Sequence, residues 1–509
     1  MSTTAAIQPT ASTVPKFWTL RGCACVFAIA LFVSLFAARH IPLVHDAPLM
    51  NYVVFLMSKG MIPYREIVDM NMPGTYLLQM AQIHAFGPSN SGLIAWDFLT
   101  IAIVILASAR IAGSGHRATG VLAGCASSLI HLSGGPWDIG QRDWNLAVLL
   151  LIACVFLVEF GRSGRCIWVF GAFLAAGSAT SIKPTGILFP VAALVLVSWK
   201  RRTPRSEVTQ IVISAVAGLL LPAAVVTAFL VSHRAIGSFV SVLKSLVPYY
   251  ASLAHVSITN MAWHLLSAPE KLLLLIALAC FPLCIIERGR HGLEWLIVSV
   301  GVGCGAASYL LQAKGWAYHR APLSIFLCLW VMMAIDTALD ARLHSVRTAA
   351  LALIMSTLLL PPMLLVLELN RNYPLDTIQS LEHDMQSMGG SRLSGHVQCL
   401  DMTLGGCINV LNRLHLVQST GFLYDFYLFP DRPTPVTAAL QTRFLSEVTA
   451  APPRVLILSQ HIWPDERLGY DEVRRWPAFE AYLALHYRLA REYMPPSRFI
   501  AGYRIYLLR

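Results

Sequence analysis

Long apolar segments constrain the fold of this chain more than any other feature of its sequence. A helix that crosses a bilayer needs about 20 mostly apolar residues, and the first such run covers residues 17–38. Further candidate spans lie at 91–113, 118–134, 144–160, 166–182, 185–199, 207–231, 272–286, 292–311, 321–338 and 348–368. Only 13% of the 509 residues are charged, about half the usual share in soluble proteins. The sequence therefore predicts a polytopic α-helical membrane protein with about eleven transmembrane helices.

Lysine and arginine in the short connectors predict the orientation of these spans, because cytoplasmic loops carry an excess of both. If the N-terminus is cytoplasmic, the cytoplasmic connectors hold fourteen of these cations, whereas the longer loops of the opposite face hold ten. The bias favours a cytoplasmic N-terminus, and an odd number of spans then places the C-terminus outside. We expect the first run to be a retained helix and not a signal peptide, because no cleavage pattern follows it. The predicted location is the inner membrane, which the chain crosses many times.

The composition changes near residue 370, and the chain beyond it contains no spanning run. The elements predicted there are two strands and two helices, at 454–459, 503–508, 435–449 and 473–489. We therefore expect a transmembrane domain over 1–369 and a small extracytoplasmic α/β domain over 370–509. Cys399 and Cys407 lie in the second of these, where an oxidising environment permits a disulfide. The sequence leaves their pairing open.

Two loops of the predicted outer face, 39–90 and 232–271, are too long to be simple connectors. Both mix Trp, Tyr, Pro, His and single charges with apolar residues. This composition is typical of helices that lie in the membrane interface, and we expect such helices in both loops.

Polar residues gather in loops that the predicted topology places on one face. These clusters are found at 45–48, 60–78, 135–145, 183–186 and 312–322. Ionisable residues at the membrane boundary are costly and are therefore functional candidates by default. Each also has a structural explanation, such as a helix cap at Asp46, a turn at Asp69 or a snorkelling anchor at Lys183. Independent structural roles would not all fall on the same side, so the coincidence favours a shared site.

The residue types in these loops indicate a particular chemistry. A carboxylate can take the proton of an acceptor hydroxyl or amine while cations stabilise a phosphate leaving group. A lipid-linked sugar phosphate presents its anomeric carbon at the bilayer surface, whereas water-soluble nucleotide sugars are cytoplasmic. The arrangement therefore favours transfer of a sugar from a lipid carrier.

At these residues the chain resembles the C-type (GT-C) glycosyltransferases, polytopic membrane enzymes that use polyprenyl-phosphate sugars. It resembles especially the bacterial members similar to protein O-mannosyltransferases and the lipid A aminoarabinose transferase. The resemblance covers roughly 18–330 and is carried by Asp46; by Gly60, Pro63, Tyr64, Arg65, Asp69 and Pro73; by Gly140 to Asp143; by Lys183 and Pro184; and by Lys314, Gly315, Tyr318 and His319. The chain departs from the family pattern in having no acidic neighbour beside Asp46, and in having Asn71 and Met72 where several members place a lysine.

The resemblance implies a role for each of these residues. Asp46 would be the general base that activates the acceptor, and Asp69 a second acidic catalytic residue that shapes the acceptor or a metal site. The candidates for binding the donor phosphate are Arg142, Lys183, Lys314 and His319. The candidates for further substrate contacts are Tyr64, Arg65, Asp143, Tyr318 and Arg320. Metal dependence varies in the family, so a divalent metal such as Mg²⁺ or Mn²⁺ is left open, and no other cofactor is implied.

The predicted function is an inverting glycosyl transfer from a polyprenyl-phosphate-linked donor to a lipid, glycan or protein acceptor of the cell envelope. Membrane lipids are further partners. A net charge of +11 would suggest a nucleic-acid partner in a soluble protein, but many of these cations lie in membrane connectors, so we expect no such partner. Two alternatives remain: a polytopic transporter or lipid flippase, and a non-catalytic envelope assembly protein. Transporters usually place ionisable sites near the bilayer midplane, whereas the predicted spans hold few ionisable residues away from their ends.

Overall fold

A computed structural model of the chain describes residues 20–41, 44–267, 270–286, 292–340, 351–372, 376–402, 406–460, 463–464, 469–495 and 501–509. The helices before residue 373 are α1 (Leu20–Ala38), α2 (Asp46–Ser58), α3 (Pro73–Phe86), α4 (Asn90–Ala112), α5 (Arg117–Ser133), α6 (Arg142–Ser163), α7 (Cys166–Ile182), α8 (Leu188–Arg201), α9 (Arg205–Ser232), α10 (Ile236–Lys244), α11 (Leu246–Ser252), α12 (Ile258–Ser267), α13 (Glu270–Ile286), α14 (Gly292–Gln312), α15 (Ala321–Asp340) and α16 (Leu360–Asn372). A π-helical turn, Met355–Leu359, leads into α16. Residues 17–19 of the first predicted span and 348–350 of the last lie outside the described residues.

Each of the eleven predicted spans corresponds to a helix; Gly113 and Gly134 lie just beyond their helices, and 185–187 form a 3₁₀ turn. Seven helices in the described ranges are long and apolar enough to cross a membrane: Leu20–Ala38, Asn90–Ala112, Arg142–Ser163, Arg205–Ser232, Gly292–Gln312, Ala317–Asp336 and Leu351–Glu368. An eighth crossing arises if Ile258–Leu265 and Glu270–Ala279, which meet at a bend of 87°, form one span. Cys166–Ile182 is apolar but shorter. The protein is therefore mostly helical with seven candidate spans, and the count of eleven stays a prediction.

The long helices expose apolar side chains outwards and pack through small residues inwards. Phe32, Leu106 and Trp199 are 70%, 70% and 77% exposed, which suits a surface covered by lipid. Helices α7 and α9 approach closely at Gly218, where a Cβ would lie 2.4 Å from the carbonyl oxygen of Phe170. Small residues permit this kind of approach between membrane helices. The larger hydrophobic core of the molecule lies among these helices.

A second hydrophobic core joins the first long loop to the C-terminal segment. It contains Tyr52 of α2 together with Val455 and Ile505. The Tyr52 hydroxyl donates to the carbonyl oxygen of Leu416 at 3.0 Å and accepts from the backbone N–H of Gln418 at 3.0 Å. The first long loop is therefore packed against the C-terminal segment. The division of the chain at 369/370 stays a prediction.

The second long loop is also helical. It forms α10, α11 and α12, on which large apolar residues such as Ile258 and Trp263 remain exposed. Short helices with exposed apolar side chains are the elements expected at a membrane interface. Their contact with lipid stays a prediction.

The C-terminal segment contains a four-stranded mixed sheet. Its elements are α17 (Asp376–Ser387), β1 (Val397–Leu400), α18 (Cys407–Arg413), α19 (Pro435–Ala450), β2 (Val455–Ser459), α20 (Pro477–His486), β3 (Tyr487–Tyr493) and β4 (Tyr503–Leu508). The strand order is β1-β2-β4-β3; β1 and β2 are parallel, and β4 is antiparallel to both of its neighbours. Strands β2 and β4 confirm the two predicted strands, and α19 confirms the first predicted helix.

The second predicted helix of this segment, 473–489, is wrong at both ends. Residues 473–475 belong to a 3₁₀ turn, and α20 ends at His486, after which Tyr487 pairs with Leu508 in the sheet. Pairing with β4 satisfies backbone groups that the end of a longer helix would leave free. Cys399 of β1 and Cys407 of α18 form a disulfide, with their Cα atoms 6.0 Å apart, which answers the question that the sequence leaves open.

Candidate active site

The first polar cluster forms where the chain enters α2. His45 adopts a positive φ of 67°, and Asp46 follows as the first residue of α2, where a helix N-terminus favours negative charge. Gly140 lies opposite with a φ of 77°, and a Cβ on it would stand 3.0 Å from the Cβ of Ala47. A glycine allows both this backbone conformation and this close approach. The approach brings Arg142, the first residue of α6, to Asp46.

Asp46 and Arg142 form a buried ion pair. Arg142 Nη2 donates to Asp46 Oδ2 at 2.8 Å, and His45 Nδ1 lies 3.1 Å from Asp46 Oδ1. Burial by itself raises the pKa of the Asp46 carboxyl, but the neighbouring His45 and Arg142 outweigh burial and hold this pKa well below its ordinary value. Asp46 is therefore an anion held in place from two sides.

Several buried polar atoms near this pair have no hydrogen-bond partner among the described residues. They are Arg142 Nε, the Tyr318 hydroxyl and His319 Nδ1. The ring centroids of Tyr318 and His45 are 6.3 Å apart. Both Tyr318 and His319 interact electrostatically with Asp46 and Arg142. An unpartnered buried polar group costs about 1–3 kcal/mol, and native proteins retain few of them. We call this set, Asp46, Arg142, Tyr318 and His319, the reaction chamber.

A second buried ion pair adjoins the chamber. Lys183 Nζ donates to the two carboxylate oxygens of Asp143 at 2.8 and 2.7 Å and to Gln312 Oε1 at 2.7 Å. Burial lowers the pKa of Lys183, although Asp143 opposes this shift. The clusters at 135–145, 183–186 and 312–322 therefore meet, as the sequence predicts.

Lys314 belongs to the same region, but its ammonium group has other partners. Nζ donates to the carbonyl oxygens of Tyr250 and Ala251 at 2.9 and 3.2 Å, and to that of Leu253. Burial lowers the pKa of Lys314 to about 8. The lysine thereby ties α11 and the residues after it to the 312–322 loop. Its role in phosphate binding stays a prediction.

Three aromatic side chains lie beside the Lys314 contacts and extend towards the chamber. The ring of Trp463 lies 6.0 Å from those of Tyr250 and Trp316, and Trp316 lies 6.3 Å from His45. We call Tyr250, Trp316 and Trp463 the aromatic roof. It unites the second long loop, the 312–322 loop and the C-terminal segment, which are far apart in sequence.

Asp69 lies in a separate buried turn in which both of its oxygens are occupied. Asn71 Nδ2 donates to Asp69 Oδ1 at 2.8 Å, and the Tyr76 hydroxyl donates to Oδ2 at 2.6 Å. The Tyr64 hydroxyl donates to the Asn71 carbonyl oxygen at 2.6 Å, and Asn71 Nδ2 lies 3.5 Å from the Tyr424 hydroxyl. Tyr424 interacts electrostatically with both Asp69 and Asp46. The turn therefore lies next to the chamber. The catalytic role of Asp69 and the substrate contact of Tyr64 stay predictions.

Two predicted substrate contacts have partners of other kinds. Arg65 donates to the His233 carbonyl oxygen at 3.2 Å and pairs with Glu66 at 3.2 Å. Arg320 Nη1 lies 3.4 Å from Glu270 Oε2. Arg65 therefore links the two long loops, and Arg320 belongs to a neighbouring cavity. Their roles in substrate binding also stay predictions.

One buried pair that supports the chamber was not predicted from the sequence. His131 Nε2 lies 2.9 Å from Asp97 Oδ2, and the Gly140 N–H donates to Asp97 Oδ1 at 3.2 Å. The His131 ring stacks on Trp144 with centroids 3.9 Å apart. Asp97 thus holds the loop that presents Arg142. Its signal in the sequence was a carboxylate inside an apolar span, which is costly unless it has a purpose.

A divalent metal at this site stays a prediction. No group of three or more His, Cys, Asp or Glu side chains comes together as a metal site in the described part of the chain. The Asp46 oxygens already face Arg142 and His45, and the Asp69 oxygens face Asn71 and Tyr76. A guanidinium group therefore stands where a cation would neutralise Asp46.

No protein-family model and no curated protein sequence matches the chain. Its structure is similar to that of ArnT, the lipid A aminoarabinose transferase, from Cupriavidus metallidurans. The apo state of ArnT gives a TM-score of 0.59 at 13% identity, covering 95% of this chain and 98% of ArnT. ArnT bound to undecaprenyl phosphate gives 0.56 at 12% identity, covering 96% and 98%.

The archaeal oligosaccharyltransferase AglB from Archaeoglobus fulgidus is also similar. Its complex with an inhibitory peptide and a dolichol-phosphate gives a TM-score of 0.52 at 12% identity, covering 95% of this chain and 74% of AglB. ArnT and AglB are both C-type glycosyltransferases. At sequence identities this low, structural similarity is evidence for a shared fold and not for a shared activity. The chain has the fold of the C-type glycosyltransferases, which confirms the resemblance found in its sequence.

Proposed function

We propose that this protein is a membrane glycosyltransferase that moves a sugar, with inversion, from a polyprenyl-phosphate-linked donor to an acceptor of the cell envelope. The observation that carries the proposal is the buried Asp46–Arg142 pair, surrounded by polar atoms that have no partner. The fold supports it, since an ArnT structure with this fold holds undecaprenyl phosphate.

The donor phosphate binds at Arg142 and His319 in this proposal. Arg142 Nε is an unpartnered buried N–H, and His319 Nδ1 is an unpartnered ring nitrogen that can donate in the appropriate tautomer. Charge-assisted hydrogen bonds from a guanidinium group to phosphate are among the strongest that proteins form. In this proposal Lys183 adds positive charge next to the phosphate without contacting it, because its direct partners are Asp143 and Gln312.

The reaction needs one proton transfer and one displacement at the anomeric carbon. The acceptor oxygen attacks this carbon while its proton passes to Asp46. The bond between the anomeric carbon and the phosphate oxygen breaks, and its electron pair stays on the phosphate. Polyprenyl phosphate leaves as an anion stabilised by Arg142, and attack opposite the leaving group inverts the configuration. Asp46 then returns the proton to water.

The ion pair also explains how Asp46 becomes a base. Alone with Arg142 and His45, its carboxylate has a pKa well below the ordinary value and is a weak base. An incoming phosphate competes for the Arg142 guanidinium, so the positive charge felt by Asp46 falls and its proton affinity rises. The donor therefore activates the residue that its own reaction requires.

We also propose the topology that this reaction needs. Eleven crossings with a cytoplasmic N-terminus place the reaction chamber and the C-terminal segment at the outer face of the inner membrane. The disulfide between Cys399 and Cys407 supports this placement, because disulfides persist in oxidising compartments. The positive charges of the cytoplasmic connectors support it independently.

The test is release of polyprenyl phosphate by the purified protein from a panel of synthetic polyprenyl-phosphate sugars, with crude membrane extract as the acceptor. We expect release from at least one donor, reduced about 100- to 10,000-fold in Asp46→Asn. Lack of release from every donor by folded protein would overturn the proposed activity. Release that is equal in Asp46→Asn would overturn the assignment of the base.

A further inference from the structure

A cavity of about 260 Å³ adjoins the reaction chamber and shares Tyr318 with it. Its polar lining consists mainly of His131, Asp138, Gln141, Glu270, Tyr318 and Arg320. Two of these residues also border the chamber, since Tyr318 is part of it and Gln141 directly precedes Arg142. The volume approaches the roughly 300 Å³ at which small-molecule sites begin.

The cavity presents hydrogen-bonding atoms that have no protein partner. These are Asp138 Oδ1, Gln141 Oε1 and the Tyr318 hydroxyl, within the part of the chain that the structure describes. Glu270 Oε2 accepts no hydrogen bond but forms an ion pair with Arg320 Nη1 at 3.4 Å. Glu270 is 1% exposed and Tyr318 is 6% exposed. Ser324 donates to the other Glu270 oxygen at 2.5 Å. The unpartnered Asp138 and Gln141 atoms are carboxylate and amide oxygens, which accept hydrogen bonds, so the lining favours a ligand that supplies donors.

The charges of the lining favour the same kind of ligand. Asp138 and Glu270 are opposed by Arg320, and His131 is paired with Asp97. The carboxylates outnumber the cations that face them. A ligand carboxylate placed here would meet like charges, while Arg320 and His131, the basic side chains of the described lining, already pair with carboxylates. Such a contact costs several kcal/mol at a buried interface.

We propose that this cavity holds the sugar ring of the donor and selects neutral, hydroxyl-bearing rings over uronic acids. The inference rests on the proposed function, because a phosphate bound at Arg142 places the attached ring next to Tyr318 and Gln141. Ring hydroxyls supply the donors that Asp138 and Gln141 lack, and a neutral ring avoids the negative charge of Glu270. Tyr318 adds an aromatic face and a hydroxyl to the lining.

The test compares matched donors in the wild-type protein. Polyprenyl phosphates carrying glucose, galactose or mannose are each paired with the carrier of the corresponding uronic acid, and release of polyprenyl phosphate is measured. We expect the accepted neutral donor to react at least about 100-fold faster than its uronic counterpart. In Glu270→Gln this ratio falls at least tenfold, because the variant keeps the acceptor for Ser324 but removes one negative charge.

Two further variants separate selectivity from folding. Tyr318→Phe removes only the hydroxyl, and we expect the KM for the neutral donor to rise more than kcat falls. Glu294→Gln makes the same substitution as Glu270→Gln at a residue that pairs with Arg162, and its neutral-to-uronic ratio stays at the wild-type value.

The outcomes separate the two proposals. Equal use of neutral and uronic donors, or an unchanged ratio in folded Glu270→Gln, overturns the sugar site while the transferase activity stands. Lack of release from every donor overturns the proposed function and the sugar site together.

Discussion

The reaction chamber and the Asp69 turn each contain a buried aspartate from the first long loop, but the polar groups around the two aspartates differ in how well they are paired. Asp46 has one guanidinium partner at 2.8 Å, and polar atoms around it are left without partners. Asp69 is fully buried and accepts from Asn71, Tyr76 and two backbone N–H groups. Folding alone accounts for the second arrangement, because both carboxylate oxygens of Asp69 are satisfied. The first leaves unpartnered atoms that the proposed donor would engage.

The strongest test of this difference is to replace each aspartate by asparagine in turn. Asp46→Asn should lower transfer about 100- to 10,000-fold, since it removes the base and keeps the shape. Asp69→Asn should keep transfer in the folded fraction within about tenfold of wild type, a difference of about 1.4 kcal/mol in the barrier. Release of polyprenyl phosphate per folded molecule measures both. Equal losses would make Asp69 a catalytic residue, as the family resemblance predicts.

The second prediction concerns the partner of Asp46. Arg142→Gln should lower transfer about 100- to 1000-fold, because the leaving phosphate loses its charge-assisted donors. It should also weaken inhibition by added polyprenyl phosphate, which reports phosphate binding without any chemistry. Arg162→Gln is the matched control, because this arginine lies at the other end of α6, where it pairs with Glu159 and Glu294. An inhibition constant that is unchanged in Arg142→Gln would place the phosphate elsewhere.

Much of the architecture was predictable because it depends on local patterns. Each apolar run predicted a helix that is present, and the order of the polar loops predicted that Asp46, Arg142 and Lys183 belong to one region. These signals are strong because a membrane-spanning segment must be both long and apolar.

The pairings within the site were less accessible. Lys314 donates to carbonyl oxygens more than 60 residues away in the chain, and no spacing in the sequence indicates such contacts. The aromatic roof likewise combines Trp316 with Trp463. Pairing of this kind depends on how loops cross after the helices have packed, and residue types alone leave several partners open.

The third prediction tests the Asp69 turn as a structural element. Asp69→Asn should lower the free energy of unfolding by about 1–3 kcal/mol, because the side chain can no longer accept every donor that surrounds it. Thermal unfolding in detergent measures the loss, with Asp431→Asn as control, since Asp431 is an exposed residue paired with Arg475. A melting temperature equal to that of wild type would show that the turn tolerates an unpartnered group as the chamber does.

The smallest effect is expected at Asp138, whose carboxylate lines the cavity next to the chamber. Burial raises the pKa of the Asp138 carboxyl to about 6, above the ordinary value of about 3.9. Between these values the folded protein binds more protons at Asp138 than the unfolded chain does, so its stability falls as the pH rises through this window. Asp138→Asn has no carboxyl to titrate and does not lose stability in this way. The melting temperature of Asp138→Asn minus that of wild type should therefore be larger at pH 8 than at pH 4. Asp471→Asn, an exposed aspartate beside Arg474, serves as the control and should show a much smaller change. A difference between Asp138→Asn and wild type that does not vary with pH would mean that this carboxylate is as well satisfied as Asp69, and the cavity would then lose one of the atoms that distinguish it from an ordinary interior.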